Sequence, residues 1–165
     1  MTMLALALAL ALAAAAVPAW PLTPDGWGPA KIGMRRAEVE RSLHIKLEGE
    51  PIEDENICVE KVSQARPGMV FLFEEGRLTR ISIGEPSKII TPRGIGVGAA
   101  AAEVRRTYRK GLKSEAHHYE GKPAEYLTYW TKPGVRGVRF ETDDKRRVET
   151  IHAGGPSIEY VEGCA

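Results

Sequence analysis

Hydrophobic positions follow two rhythms along this chain, and both rhythms come round twice. Met34, Ala37 and Leu43 fall on one stripe, with Arg35, Arg36, Glu38, Glu40 and Arg41 outside it, which predicts a short amphipathic helix over 34–43. Residues 57–62 alternate as a strand carrying Cys58. Residues 70–73 and 78–83 are two more strands, joined by Glu74-Glu75-Gly76-Arg77, where glycine suits the positive φ of a tight hairpin. In the second of these, period two puts Thr79, Ile81 and Ile83 on one side, assigned to the core, and Leu78, Arg80 and Ser82 on the other. The same order returns after position 91: an alanine-rich helix over 99–110 closed by Arg109-Lys110-Gly111, a strand over 125–131, and a hairpin of 135–141 with 147–153. The remaining stretches, 20–31, 48–56 and 113–123, read as an arm pinned by Trp27 and two polar loops, and 158–161 as a last short strand.

The recurrence extends to residue identity. Ile32-Gly33-Met34-Arg35-Arg36-Ala37-Glu38-Val39 aligns with Val97-Gly98-Ala99-Ala100-Ala101-Ala102-Glu103-Val104, and Gly84-Glu85-Pro86-Ser87 with Gly154-Gly155-Pro156-Ser157. Two α-β-β-β units, 32–90 and 91–165, therefore form one compact α+β domain, expected as a single antiparallel sheet with both helices on one face. Only two copies of a period this long exist, which is a duplicated domain and not a solenoid.

Composition sets the compartment. Residues 1–19 carry no charged side chain and run from alternating Leu and Ala into Val17-Pro18-Ala19, the pattern of a secretory signal cleaved near Trp20. The apolar run is too short for a comfortable membrane span, so none is expected after its removal. The two cysteines, Cys58 and Cys164, suit an oxidising compartment and are expected to pair, which places the protein in the periplasm or outside the cell. A net charge of +1 argues against nucleic-acid binding.

Candidate chemistry is sparse. Gly94-Ile95-Gly96-Val97-Gly98-Ala99 matches a dinucleotide fingerprint in letters, but Thr91-Pro92-Arg93 breaks the strand that fingerprint requires, and Gly98 is better read as the helix-start equivalent of Gly33. His117-His118 has no ligand partner at metal-site spacing and reads as solvated loop. The pairs Glu74-Glu75 and Asp143-Asp144 sit in hairpin turns, where solvated charge is ordinary. Arg105, Arg106, Arg109, Lys110 and Lys113 form a basic helix face. No catalytic residue, cofactor or metal is expected. The helix-free sheet face, expected to be wet, is the better candidate: Arg80, Tyr126, Trp130, Arg139 and His152 fall on it by alternation, a composition suited to protein binding.

The order helix, three antiparallel strands, repeated once, with I-G-M-x-x-x-E-V opening a unit behind an export signal, resembles the β-lactamase inhibitory protein fold. That fold is shared by envelope assembly lipoproteins of the SmpA/OmlA type. The resemblance implies a sheet face and loops that hold other proteins. The expected function is thus an exported, non-enzymatic protein engaging a protein or envelope component through the open sheet face. Inhibition of a secreted or periplasmic hydrolase such as a β-lactamase, and envelope assembly, are the alternatives.

Overall fold

The computed structural model describes residues 20–49 and 57–164, so the stretch expected to be a secretory signal and most of the acidic loop lie outside the described residues. The fold is α+β and antiparallel, but it has two sheets where one was expected. Residues 20–31 make a three-stranded sheet of two-residue strands, β1 (Leu22–Thr23), β2 (Gly26–Trp27) and β3 (Ala30–Lys31). Period-based reading cannot find strands this short, and their Pro and Gly content points to loop. Leu22, Trp27 and Ala30 bury into the main core, which is why the arm is ordered.

The larger sheet has seven strands. In chain order these are β4 (Cys58–Val62), β5 (Met69–Glu74), β6 (Arg77–Ile83), β7 (Leu112–Ala116), β8 (Glu125–Lys132), β9 (Arg136–Thr142) and β10 (Val148–Gly154), and in space they run β4-β5-β6-β10-β9-β8-β7. The hairpins β5–β6 and β9–β10 meet at the centre, where β6 pairs antiparallel with β10. Strand β7 lies where a polar loop was expected; it is an edge strand, largely exposed, with no buried face to give it period two.

Helices α1 (Arg36–Leu43) and α2 (Ala101–Thr107) each begin two residues later than the sequence pattern suggests. Two residues per helix are spent docking the preceding chain onto a hairpin. Gly33 N–H donates to Leu78 O and Leu78 N–H to Met34 O, at 2.7 and 2.8 Å; Gly98, Val148 and Ala99 make the same two bonds at 2.7 and 2.9 Å. Gly33 and Gly98 have φ of 98° and 85°, with nothing within 4 Å of an added Cβ. Substituting alanine at either costs backbone strain alone, about 1–2 kcal/mol. Denaturant melts of the two variants should agree with each other within about 0.5 kcal/mol.

Val39 and Leu43 of α1, Ala101 and Val104 of α2 and Tyr108 just after it join Phe71, Phe73, Ile81, Ile83, Leu127, Phe140 and Ile151 in one core. Leu78 belongs to that core too, which corrects the expected alternation in β6. The register shifts between Leu72↔Arg80 and Phe73↔Leu78 leave Thr79 as an extra, bulged residue, so Leu78 and Ile81 share a face. Glu149 does the same in β10, between Val148↔Thr142 and Thr150↔Glu141. The two hairpins thus carry matching bulges. A bulge is invisible to a period-two count.

Candidate functional site

The bulges decide what the second face of the sheet carries. Three cross-strand rows run over it: Thr150–Glu141–Tyr126–Glu115, Val70–Ser82–His152–Arg139–Thr128, and Leu72–Arg80–Gly154–Gly137–Trp130. All five expected binding residues lie on this face. The face is not wet, however. Arg80 is 3 %, Arg139 4 %, Tyr126 4 % and His152 9 % exposed, and Trp130 is half-buried.

The cover comes from segments read as loop or strand. Residues 158–161, expected as a last short strand, instead begin inside a 3-10 turn, Pro156–Glu159, that lies across the second face. Proline opens the turn, and Gly137 makes room for it, since a Cβ there would sit 2.9 Å from Ile158 Cδ1 and 2.7 Å from Trp130 Cε3. Arg80 holds the turn from below, donating to Ser157 O at 3.0 Å and to Glu60 Oε1 at 2.6 Å. Beyond the turn, Cys164 is joined to Cys58 of β4, as expected from the cysteine count. This disulfide points to an oxidising environment.

His117, expected in solvent, is buried and closes the other side. Its Nδ1 accepts from the backbone N–H groups of Tyr119 and Glu120, at 3.3 and 3.1 Å, so its Nε2 carries the proton and donates to Glu141 Oε1 at 2.6 Å. His152 Nε2 donates to Glu141 Oε2 at 3.2 Å, which leaves its Nδ1 to accept from Ser82 Oγ–H at 2.7 Å. Burial works to raise the Glu141 pKa, but the bonds from His152 and His117 outweigh it and hold the carboxyl at about 2. Burial lowers the pKa of His152. At neutral pH Glu141 is therefore a carboxylate lying between the imidazoles of His117 and His152, the latter kept neutral by burial. Arg139 stacks its guanidinium 3.8 Å from the Tyr126 ring centre, and Tyr126 in turn stacks on His117 at 4.7 Å. Burial lowers the pKa of both Arg80 and Arg139.

Hydroxyl, imidazole and carboxylate in this order resemble a nucleophile-base relay. Ser82, though, is only 5 % exposed, and the relay spans three neighbouring strands beneath the cover. Its visible effect is positional: through His117 it sets the backbone that presents Tyr119. On the far side of the cover, Ile57, Tyr119, Tyr160 and Val161 line a groove of about 750 Å³ floored by the disulfide, with Glu74, His118 and Glu162 at its margin. Tyr160 is fixed there by donating to Glu74 Oε1 at 2.6 Å. The lone signal of this groove in the sequence is the run of apolar residues at 160–161 beside a cysteine.

The remaining candidates take ordinary structural places. The glycine-rich stretch folds as a turn, with Thr91 N–H donating to Ile95 O and Gly94 N–H to Thr91 O. Within the basic face, Arg105 pairs with Glu125, and Arg109 donates to Arg106 O. Among the described residues no group of three His, Cys, Asp or Glu is arranged to hold a metal ion, and no helix is long and apolar enough to cross a membrane. Compared with protein-family models, curated proteins and solved structures, the chain has no significant match.

Proposed function

We propose that this is an exported, non-enzymatic binding protein that engages a protein or cell-envelope component through the groove built over its helix-free sheet face. The observation that carries this reading is convergence. Of the seven exposed large apolar side chains among the described residues, four line that one groove: Ile57 (71 % exposed), Tyr119 (61 %), Tyr160 and Val161. Grouped exposure of this kind marks an interaction site, whereas scattered exposed apolar residues do not. Tyr160, an aromatic anchor held by its own hydrogen bond to Glu74, loses little entropy on binding.

The paired bonds of Gly33 and Gly98, with the matching bulges, support reading 32–90 and 91–165 as two copies of one unit. On that reading the groove joins both copies, with Ile57, Cys58 and Glu74 from the first and His118, Tyr119 and the segment 160–164 from the second. Arg80, Tyr126, Arg139 and His152 then act as positioning residues beneath the partner surface, and Trp130 wedges the cover.

Affinity capture tests this with wild type against a Tyr119→Ala, Val161→Ser double variant. Both positions are exposed, so the fold should be retained. Wild type is expected to hold an envelope or secreted partner that the variant releases, with a loss of about 2 kcal/mol, or roughly thirtyfold in affinity. Equal retention of every partner by both proteins overturns the reading. Inhibition assays against β-lactamase and other secreted hydrolases show whether that partner is an enzyme. Labelling of Ser82 by a fluorophosphonate would remove the word non-enzymatic.

A further inference from the structure

A second groove lies at the other end of β4, apolar like the first but with charged groups of the opposite sign. Three segments build it: the arm with Trp20 and Trp27, the 65–67 part of the connection between β4 and β5 with Met69 at the start of β5, and the 86–90 connection after β6. It encloses about 470 Å³, the size of a small-ligand site. Its walls are cross-braced. Trp27 Nε1–H donates to Trp20 O at 2.9 Å, Leu22 N–H to Ile90 O at 2.9 Å, and Gly84 N–H to Gly68 O at 2.8 Å. The rings of Trp20 and Trp27 meet edge to face at 5.3 Å, and Gly68 lies so close that a Cβ would fall 2.5 Å from Gly84 O. The groove is therefore formed before anything enters it.

Apart from Ser87, its uncharged lining side chains are Trp, Met, Pro, Ile and Ala. Among the described residues Arg66 and Lys88 are the charged side chains that line it, and no carboxylate does. Arg66 lies over the Trp27 ring at 5.6 Å. Lys88 is exposed and makes no hydrogen bond or ion pair among the described residues. The ligand chemistry follows. An apolar body suits the walls and one anionic end suits Lys88 and Arg66. A peptide would bring an amide group every residue into walls that offer almost nothing to pair with it, at a cost of roughly 1–3 kcal/mol for each unpaired group.

We propose that this groove binds a single-chain amphiphile with an anionic head, a fatty-acid carboxylate, with the chain between Trp20, Pro67 and Ile90 and the carboxylate at Lys88. Two of the protein's three tryptophans line the groove, so intrinsic fluorescence reports on it directly. The full chain is titrated with dodecanoate and with a bromine-substituted dodecanoate, below their micelle concentrations. The expected result is saturable quenching at micromolar brominated ligand, competed by dodecanoate. Dodecyltrimethylammonium and dodecyl maltoside, with cationic and uncharged heads, should compete at least about tenfold more weakly. Lys88→Glu should weaken dodecanoate about tenfold, while Ile90→Asp, changed at an exposed wall position, should abolish quenching with the circular dichroism spectrum unchanged. Absence of saturable quenching, equal competition by the cationic amphiphile, or stronger competition by an acidic peptide would each overturn the proposal.

Discussion

Replacing both Cys58 and Cys164 by alanine will lower the unfolding free energy by about 4.7 kcal/mol. The bridge spans a sequence separation of 106, and closing a loop of that length removes about this much chain entropy from the unfolded state. For a chain of this size the loss corresponds to a fall of roughly 10–20 °C in melting temperature. The effect is also local. Ile158 remains buried and Arg80 still holds Ser157, so the 3-10 turn should stay seated while residues 160–164 detach. Thermal melts of wild type, reduced wild type and the double variant measure the first effect; amide exchange in 156–164 measures the second. A melting temperature unchanged within about 2 °C would show that the bridge closes no loop that matters to the unfolded state.

The second large effect is on the acid limb of stability. The folded pKa of Glu141 is about 2 against an ordinary 4.5. A depressed carboxyl stabilises the fold fully above its unfolded pKa, and that contribution disappears as the pH falls from about 4.5 to about 2. The size follows from the shift, about 3 kcal/mol. His152 acts earlier in the same direction. Its folded pKa lies below 6.5, so acid protonates the unfolded chain first and stability begins to fall as the pH drops through that value. Glu141→Gln should therefore cost about 3 kcal/mol at pH 7 and flatten the profile below pH 4.5. Urea midpoints across pH 2–8 test this, and parallel profiles for the two proteins would show that Glu141 does not carry the acid limb.

Much of the frame could be read from the residues. Both helices, both hairpins, the helix entries at Gly33 and Gly98, and the Cys58–Cys164 bridge follow from stripe, alternation, turn chemistry and cysteine count. What escaped was set by tertiary packing. The bulges at Thr79 and Glu149 each insert one residue into an alternation, so Leu78 was placed on the wrong side. The five residues assigned to a wet face do share a face, but alternation says nothing of what lies above it. The cover is a proline-led turn whose seat depends on Gly137, a residue on another strand. His117 looked like a loop histidine because its partner, Glu141, is distant in sequence and adjacent only across the folded sheet.

An open antiparallel sheet has two outer strands whose unpaired backbone groups can recruit a second sheet, and a protein without a barrel must defend both. Here the defences differ. On β7 four of the five residues are exposed, and Lys113 and Glu115 place charge on its rim. On β4 the backbone at Val62 is already bonded in both directions to Glu48, and the bridge anchors the chain's last described residue at Cys58. The cross-link thus does more than close a loop: it caps the strand with the higher apolar content. Losing it detaches the chain end from Cys58 and opens that end of β4 to pairing with a second sheet, so the reduced protein should fail first by self-association, before it unfolds.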